Sequence, residues 1–105
     1  MWQAEFHAHF SHWYDWGTSF YPSFLIKDFP QDQREALRLY NQVLDAAIAV
    51  SLANGGVINE HHGIGIRFGR LLREAYGESY ELARILKRSL DPNNIMNPGK
   101  LGLGG

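Results

Sequence analysis

Apolar and polar positions change their period along the chain, and the change predicts its elements. Residues 5–14, Glu5-Phe6-His7-Ala8-His9-Phe10-Ser11-His12-Trp13-Tyr14, roughly alternate and are rich in aromatics, which predicts a strand. Asp15-Trp16-Gly17 reads as a turn. Residues 18–27 read as a second strand, so the two should pair as an antiparallel hairpin. Pro22 lacks a ladder donor, which places the second strand at a sheet edge or bulges it there.

The period then lengthens. Leu37, Tyr40, Leu44, Ala47, Ile48 and Ser51 recur at three- and four-residue spacing, the mark of a helix with one mostly apolar face. Arg34, Glu35, Arg38, Asn41, Gln42 and Asp45 take the wetter side. The helix is expected over roughly 31–53, with Pro30 opening its first turn. Asn54-Gly55-Gly56 ends it, because glycine accepts the left-handed conformation that closes a helix. Val57-Ile58 reads as a brief strand and residues 60–66 as a glycine loop. Residues 68–76 form a short helix, Gly77 interrupts, and residues 79–90 form another. Asp91-Pro92 stops it, since a residue before proline avoids the helical region. Residues 93–105 carry no periodicity and are expected as an extended tail. The class is α+β: an N-terminal antiparallel hairpin packed by a long helix, then a C-terminal helical segment and tail. Repeats and interdomain linkers are not evident.

With 105 residues, the chain is one small domain or a piece of a larger one. A net charge of −1 gives no reason to expect nucleic acid or an anionic membrane as partner. Cysteine is absent, which excludes disulfides and thiolate metal sites and fits a reducing cytosol. No apolar run approaches the roughly 20 residues that span a bilayer. The first residues lack the basic start and apolar stretch of a signal peptide. A cytoplasmic location follows as the expectation, with any membrane contact peripheral and made through partners.

The histidines fall in two short segments: His7, His9 and His12 on the first strand, His61 and His62 in the glycine loop. Alternation puts His7 and His9 on one face, and His12 with Phe10 and Tyr14. The sharper reading brings a strand face and the Glu60-His61-His62 loop together over a substrate, with His9, His12 and Glu60 binding it. The plainer reading leaves exposed or singly bonded imidazoles, and it is preferred for His7. For Glu60-His61-His62 the functional reading is preferred. Glycines beside it let the backbone approach a ligand, and imidazoles exchange protons near neutral pH. A protein-bound metal is not expected. His9 and Glu60 are the weak candidates, but His9-x-x-His12 on a strand splits its side chains between faces unless a bulge intervenes. Arg67, Arg70 and Arg73 are spaced by three. They form either a solvated face, the preferred reading, or a contact with phosphate or carboxylate, with Arg67 as the substrate-binding candidate. Tyr21 alone would be an aromatic of the hairpin. Gly63-Ile64-Gly65 is too short for a nucleotide-binding fingerprint.

Taken in order, several pieces resemble the C-terminal domain of FAD-linked oxidases of the vanillyl-alcohol-oxidase type. They are His9-x-x-His12-x-Tyr14 with Gly17 and Tyr21, the long helix, Glu60-His61-His62-Gly63-Ile64-Gly65, and Asp91-Pro92-Asn93 with Asn97-Pro98-Gly99-Lys100. The resemblance covers nearly the whole chain. It implies an FAD held mainly by a separate N-terminal domain or subunit, with this segment capping the isoalloxazine and carrying substrate-side groups. It also implies that His61 and His62 are active-site residues and that Tyr21 is the proton-handling phenol. Gly63, Gly65 and Asn97 would face the cofactor, since the final Asn-Pro-Gly segment returns toward the flavin domain.

Two branches of the family compete. The D-2-hydroxy-acid dehydrogenases, such as D-lactate dehydrogenase and the glycolate oxidase subunit, typically carry Gly-Asp-Gly-Asn between two histidines; here Phe10-Ser11 stands between His9 and His12. Alkyldihydroxyacetonephosphate synthases carry a similar Ser-His-x-Tyr hairpin and three consecutive histidines; here Glu60 takes the first place. The substrate is accordingly a small hydroxy acid or a phosphorylated lipid precursor. The chain by itself is expected neither to hold FAD tightly nor to be active, whether it is a subunit, a truncated frame or a fragment. A reading from a different class is a stand-alone binding module whose aromatic hairpin drives homo-oligomerisation.

Overall fold

The structure, a computed structural model, describes residues 3–59 and 61–104. It contains two compact units, one of residues 1–42 and one of residues 43–105. The class is α+β, with the expected hairpin, long helix and C-terminal helical segment in that order.

In the first unit, β1 (Ala4–Tyr14) pairs antiparallel with β2 (Gly17–Ile26). The register places Phe6 opposite Phe24 and Phe10 opposite Phe20. Their rings lie 5.6 and 5.4 Å apart between centroids, the cross-strand packing that stabilises a ribbon. The other face carries Glu5, His7, His9 and Ser11 opposite Leu25, Ser23, Tyr21 and Ser19. Alternation then slips. Ser11 pairs with Ser19 and Trp13 with Thr18, so the register passes over His12, whose φ is 50°. This is a β-bulge. The Thr18 hydroxyl donates to the Ser11 carbonyl at 3.0 Å beside the bulge. The slip overturns the expected grouping of His12 with Phe10 and Tyr14. Tyr14, opposite Gly17, now shares the face of His9 and Tyr21, while Trp13 joins that of Phe10. Pro22 sits in register opposite Ala8, so the irregularity lies at His12 rather than at the proline.

Helix α1 (Gln33–Ala53) starts later than expected. The Asp32 carboxylate accepts the backbone N–H groups of Arg34 and Glu35 at 3.0 and 2.9 Å. Asp32 is therefore the N-cap, and Pro30 lies before the helix instead of in its first turn. Leu37 and Tyr40, counted on the apolar face, remain exposed. At the other end, Gly55 N–H donates to the Leu52 carbonyl at 3.1 Å and Gly56 N–H to that of Ser51 at 2.8 Å. With Gly55 at φ 78°, this pair of bonds is a Schellman stop.

In the second unit, Ile48, Ile58, Leu72, Tyr80 and Leu103 form the buried core, with Leu44, Leu52, Ile64, Phe68, Leu71, Ala75 and Ala83 against it. Val57-Ile58 is irregular rather than a strand, and Ile58 drops its side chain into this core. The short helix expected over 68–76 splits into a 3-10 turn, Gly69–Leu71, and α2 (Leu72–Tyr76). Gly77, at φ 52°, separates α2 from α3 (Glu78–Leu90). The tail does not run extended. It turns through positive φ at Asn94, Asn97, Gly99 and Leu101, makes a 3-10 turn at Lys100–Gly102, and buries Leu103.

Candidate functional site

The polar face of the hairpin brings two of the expected residues into register, His9 directly opposite Tyr21. His7 lies opposite Ser23, with its Nε2 3.6 Å from a Glu5 carboxylate oxygen; Glu5 also pairs with Lys27. His7 is exposed. The His12 ring nitrogen Nδ1 lies 3.0 Å from the Ser11 hydroxyl. The register passes over His12 at the bulge. Even so, no group of three or more His, Cys, Asp or Glu side chains is placed to hold a metal ion among the described residues. Glu60, the other weak metal candidate and a substrate-binding candidate, lies outside the described residues.

In the second unit, the histidine loop is tied on both sides. The Asn59 side-chain amide donates to the Gly63 carbonyl. Beyond it, the Gly65 carbonyl accepts the Leu101 N–H at 2.8 Å. Ile64 and Phe68 turn inward to the core, which leaves His61 and His62 exposed. Their rings meet edge-on, 4.2 Å apart at 60°. Gly63 at φ 79° and Gly65 at φ 55° adopt backbone that a side chain would strain. The arrangement presents two imidazoles and a bare backbone ledge to whatever covers the loop.

The arginine stripe divides. Arg70 pairs with Asp45 in α1, and Arg73 lies 3.7 Å from Glu81, so both serve within the fold. Arg67 rests over the Phe68 ring at 4.9 Å, next to the glycine loop in sequence. Asn97 is exposed at φ 49°, in the tail that Leu101 fastens to Gly65. The glycine loop is thus joined by a hydrogen bond to the residue that follows the Asn97-Pro98-Gly99-Lys100 motif.

Sequence reasoning missed what holds that tail. The Asp91 carboxylate is buried. It pairs with Lys87 one turn back and accepts the Ile95 and Met96 N–H groups, both at 2.9 Å. The Lys87 ammonium, followed by the Ile95 N–H, holds the Asp91 carboxyl below its ordinary value, against the opposing effect of burial. Lys87 also donates to the Met96 carbonyl. The i, i+4 spacing of Lys87 and Asp91 and the turn-forming Asp-Pro-Asn were the available signals. Tyr80, whose hydroxyl donates to the Gly102 carbonyl at 2.7 Å, left no local signal beyond an apolar helix position.

Residues 5–101 match the family described as FAD linked oxidases, C-terminal domain. The chain is 34% identical over 95 residues to an alkyldihydroxyacetonephosphate synthase of Trypanosoma brucei brucei, covering 90% of this chain and 15% of that protein. It is 49% identical over 55 residues to a D-lactate dehydrogenase of Archaeoglobus fulgidus, covering 52% of this chain and 12% of that protein. A D-2-hydroxyglutarate dehydrogenase of Pseudomonas putida is 36% identical over 63 residues, covering 60% of this chain and 6% of that protein. The chain therefore spans a small part of the length of these relatives. No solved structure matches it. A match that runs from the first strand to the tail, with the histidine loop and the Asp91 turn both inside it, shows that the chain belongs to the C-terminal domain family of FAD-linked oxidases.

Proposed function

We propose that the chain is the substrate-side, flavin-capping segment of an FAD-dependent oxidoreductase. The observation that carries this reading is the exposed His61–His62 pair on a loop whose Gly63 and Gly65 leave the backbone bare. Such a loop fits the face of a planar heteroaromatic ring. It has no counterpart for a diphosphate, because among the described residues no glycine turn links a strand to a long helix. The diphosphate belongs to a separate flavin-binding domain or subunit, and exposed Leu82, Ile85 and Leu90 on α3 support such a covering partner.

When bound, FAD supplies a two-electron acceptor. The chain's own residues handle protons and orientation. An imidazole nitrogen of His62 accepts the hydroxyl proton of the substrate, and His61 holds its neighbour's ring in place. Tyr21, opposite His9, donates or accepts a hydrogen bond at its phenol on the hairpin's polar face. Arg67 orients the substrate's anionic end, Glu60 accepts a hydrogen bond from a substrate hydroxyl, and Asn97 faces the cofactor. The substrate class is a D-2-hydroxy acid, with a phosphorylated lipid precursor as the other branch, and the names of the relatives support both. The absence of cysteine supports a cytoplasmic setting.

Co-expression with a flavin domain of the same family tests the reading. The chain alone should purify colourless. The complex should be yellow and bleach anaerobically on addition of a D-2-hydroxy acid or a phosphorylated lipid precursor. A stable complex that holds no flavin would contradict it.

The second reading, a self-associating module, is favoured by one observation: Phe6, Phe10, Phe20 and Phe24 on one hairpin face are all exposed. Sedimentation of the isolated chain should then show a concentration-dependent oligomer. A monomer at high concentration, in a chain that binds the flavin domain, would leave only the first reading.

A further inference from the structure

The tail of the second unit meets the start of the Gly69–Leu71 turn backbone to backbone. A Cβ on Gly102 would lie 2.6 Å from the Gly69 carbonyl oxygen and 3.0 Å from the Tyr80 hydroxyl. A Cβ on Gly69 would press on the Gly102 nitrogen in turn. Both glycines are therefore required by this approach. Tyr80, buried on α3, fastens the junction with its hydrogen bond to Gly102. One residue earlier, the Leu101 N–H reaches the Gly65 carbonyl. One residue later, Leu103 enters the core. A single strap thus runs from a buried phenol to the end of the histidine loop.

We propose that Tyr80 is a positioning residue for the proposed reaction: through Gly102 and Leu101 it fixes the loop that carries His61 and His62. The physical case is one of rotational freedom. Gly63 and Gly65 leave the loop soft. Asn59 restrains it at Gly63, and the strap restrains it at Gly65. Leu101 itself stands at φ 58°, a conformation that a non-glycine residue holds only where its surroundings enforce it. Removing the Tyr80 hydroxyl loosens Gly102, lets Leu101 relax, and frees the Gly65 carbonyl. The phenol is buried in the core, so its effect reaches the histidines through the strap. The proposal rests on the functional reading above, and its test separates the two.

The test is amide hydrogen exchange on the full 105-residue chain, with wild type compared to Tyr80→Phe. The Leu101 amide, bonded to the Gly65 carbonyl, and the Phe68 amide, bonded to the Ile64 carbonyl, should exchange roughly tenfold faster, while the Ala36 amide, bonded to the Asp32 carbonyl, keeps its rate. In the complex with the flavin domain, Tyr80→Phe should lower kcat roughly ten- to a hundredfold with KM little changed, as misplacement of a proton-transfer group does. Gly102→Ala, which forces the strap away with Tyr80 intact, should reproduce both effects. Unchanged exchange at Leu101 and Phe68 overturns the proposal, as does a uniform rise that includes Ala36. A looser loop with wild-type kcat also overturns it when His62→Ala still impairs turnover. Wild-type turnover in His62→Ala instead overturns the functional reading and, with it, any positioning role for Tyr80.

Discussion

His9 stands directly opposite Tyr21 across the hairpin, on the face turned away from the phenylalanine ladder. Side chains opposite each other in an antiparallel pair are close enough to interact. The phenol therefore stands opposite an imidazole. In the complete flavoenzyme, Tyr21→Phe should lower kcat by about 10²–10⁴-fold, the usual cost of losing a positioned proton-transfer group. His9→Ala should lower it less, because the phenol stays in place and loses only its neighbour. Steady-state rates check both; a Tyr21→Phe enzyme with wild-type kcat would leave the phenol as a packing residue.

Asp91 gives the tail a dependence on acid. Its carboxyl is held below its ordinary value, chiefly by Lys87 and then by the Ile95 amide. In the unfolded chain it protonates near the usual aspartate value of about 3.9. Its stabilising contribution is therefore complete above that value and drains away as pH falls from there through the lower folded pKa. The Ile95 and Met96 amide resonances should titrate together, with a midpoint below about pH 4. Asp91→Asn should abolish that transition and lower the melting temperature at neutral pH. A midpoint at or above the ordinary carboxylate value would contradict the pairing.

Stability of the scaffold should track its caps and tight approaches. Asp32→Ala removes the acceptor for two helix N–H groups and should cost about 1 kcal/mol. Gly55→Ala forces a side chain into left-handed backbone and should cost about 1–2 kcal/mol. Gly69→Ala should cost more than either, since its Cβ meets backbone that cannot swing aside. Urea denaturation of the chain ranks the three; equal values would mean that the Gly69–Gly102 junction yields easily.

Elements set by local rules are legible in the amino-acid sequence itself. The hairpin ends, the Asp15-Trp16 turn and the Gly55 stop each follow from residues within a few positions of one another. The bulge at His12 is not legible there, because a slipped register is a relation between strands and Thr18 lies across the ribbon. Pro30 and Asp32 both carry a helix-start signal, and the carboxylate that reaches two amides prevails. Val57 and Ile58 favour a strand, but Ile58 finds a core instead of a partner strand. The tail depends on Asp91, Tyr80 and Gly102 acting over distance, which periodicity does not register. At the candidate site the residue types are readable, as is the pairing of Tyr21 with the histidine strand. The hydrogen bond that joins the glycine loop to the Asn97 segment is not.

The glycine loop is proposed to carry the proton chemistry of a flavin-dependent oxidation. Anaerobic stopped-flow flavin reduction tests it most directly, with the chain assembled on its flavin domain and a D-2-hydroxy acid that turns it over. His62→Ala should slow flavin reduction by about 10²–10⁴-fold while flavin binding and thermal stability stay near wild type. His7→Ala, whose imidazole lies beside Glu5 on the hairpin surface, should leave the rate unchanged. Equal damage from both substitutions in folded, flavin-loaded protein, or none from His62→Ala, would contradict the account.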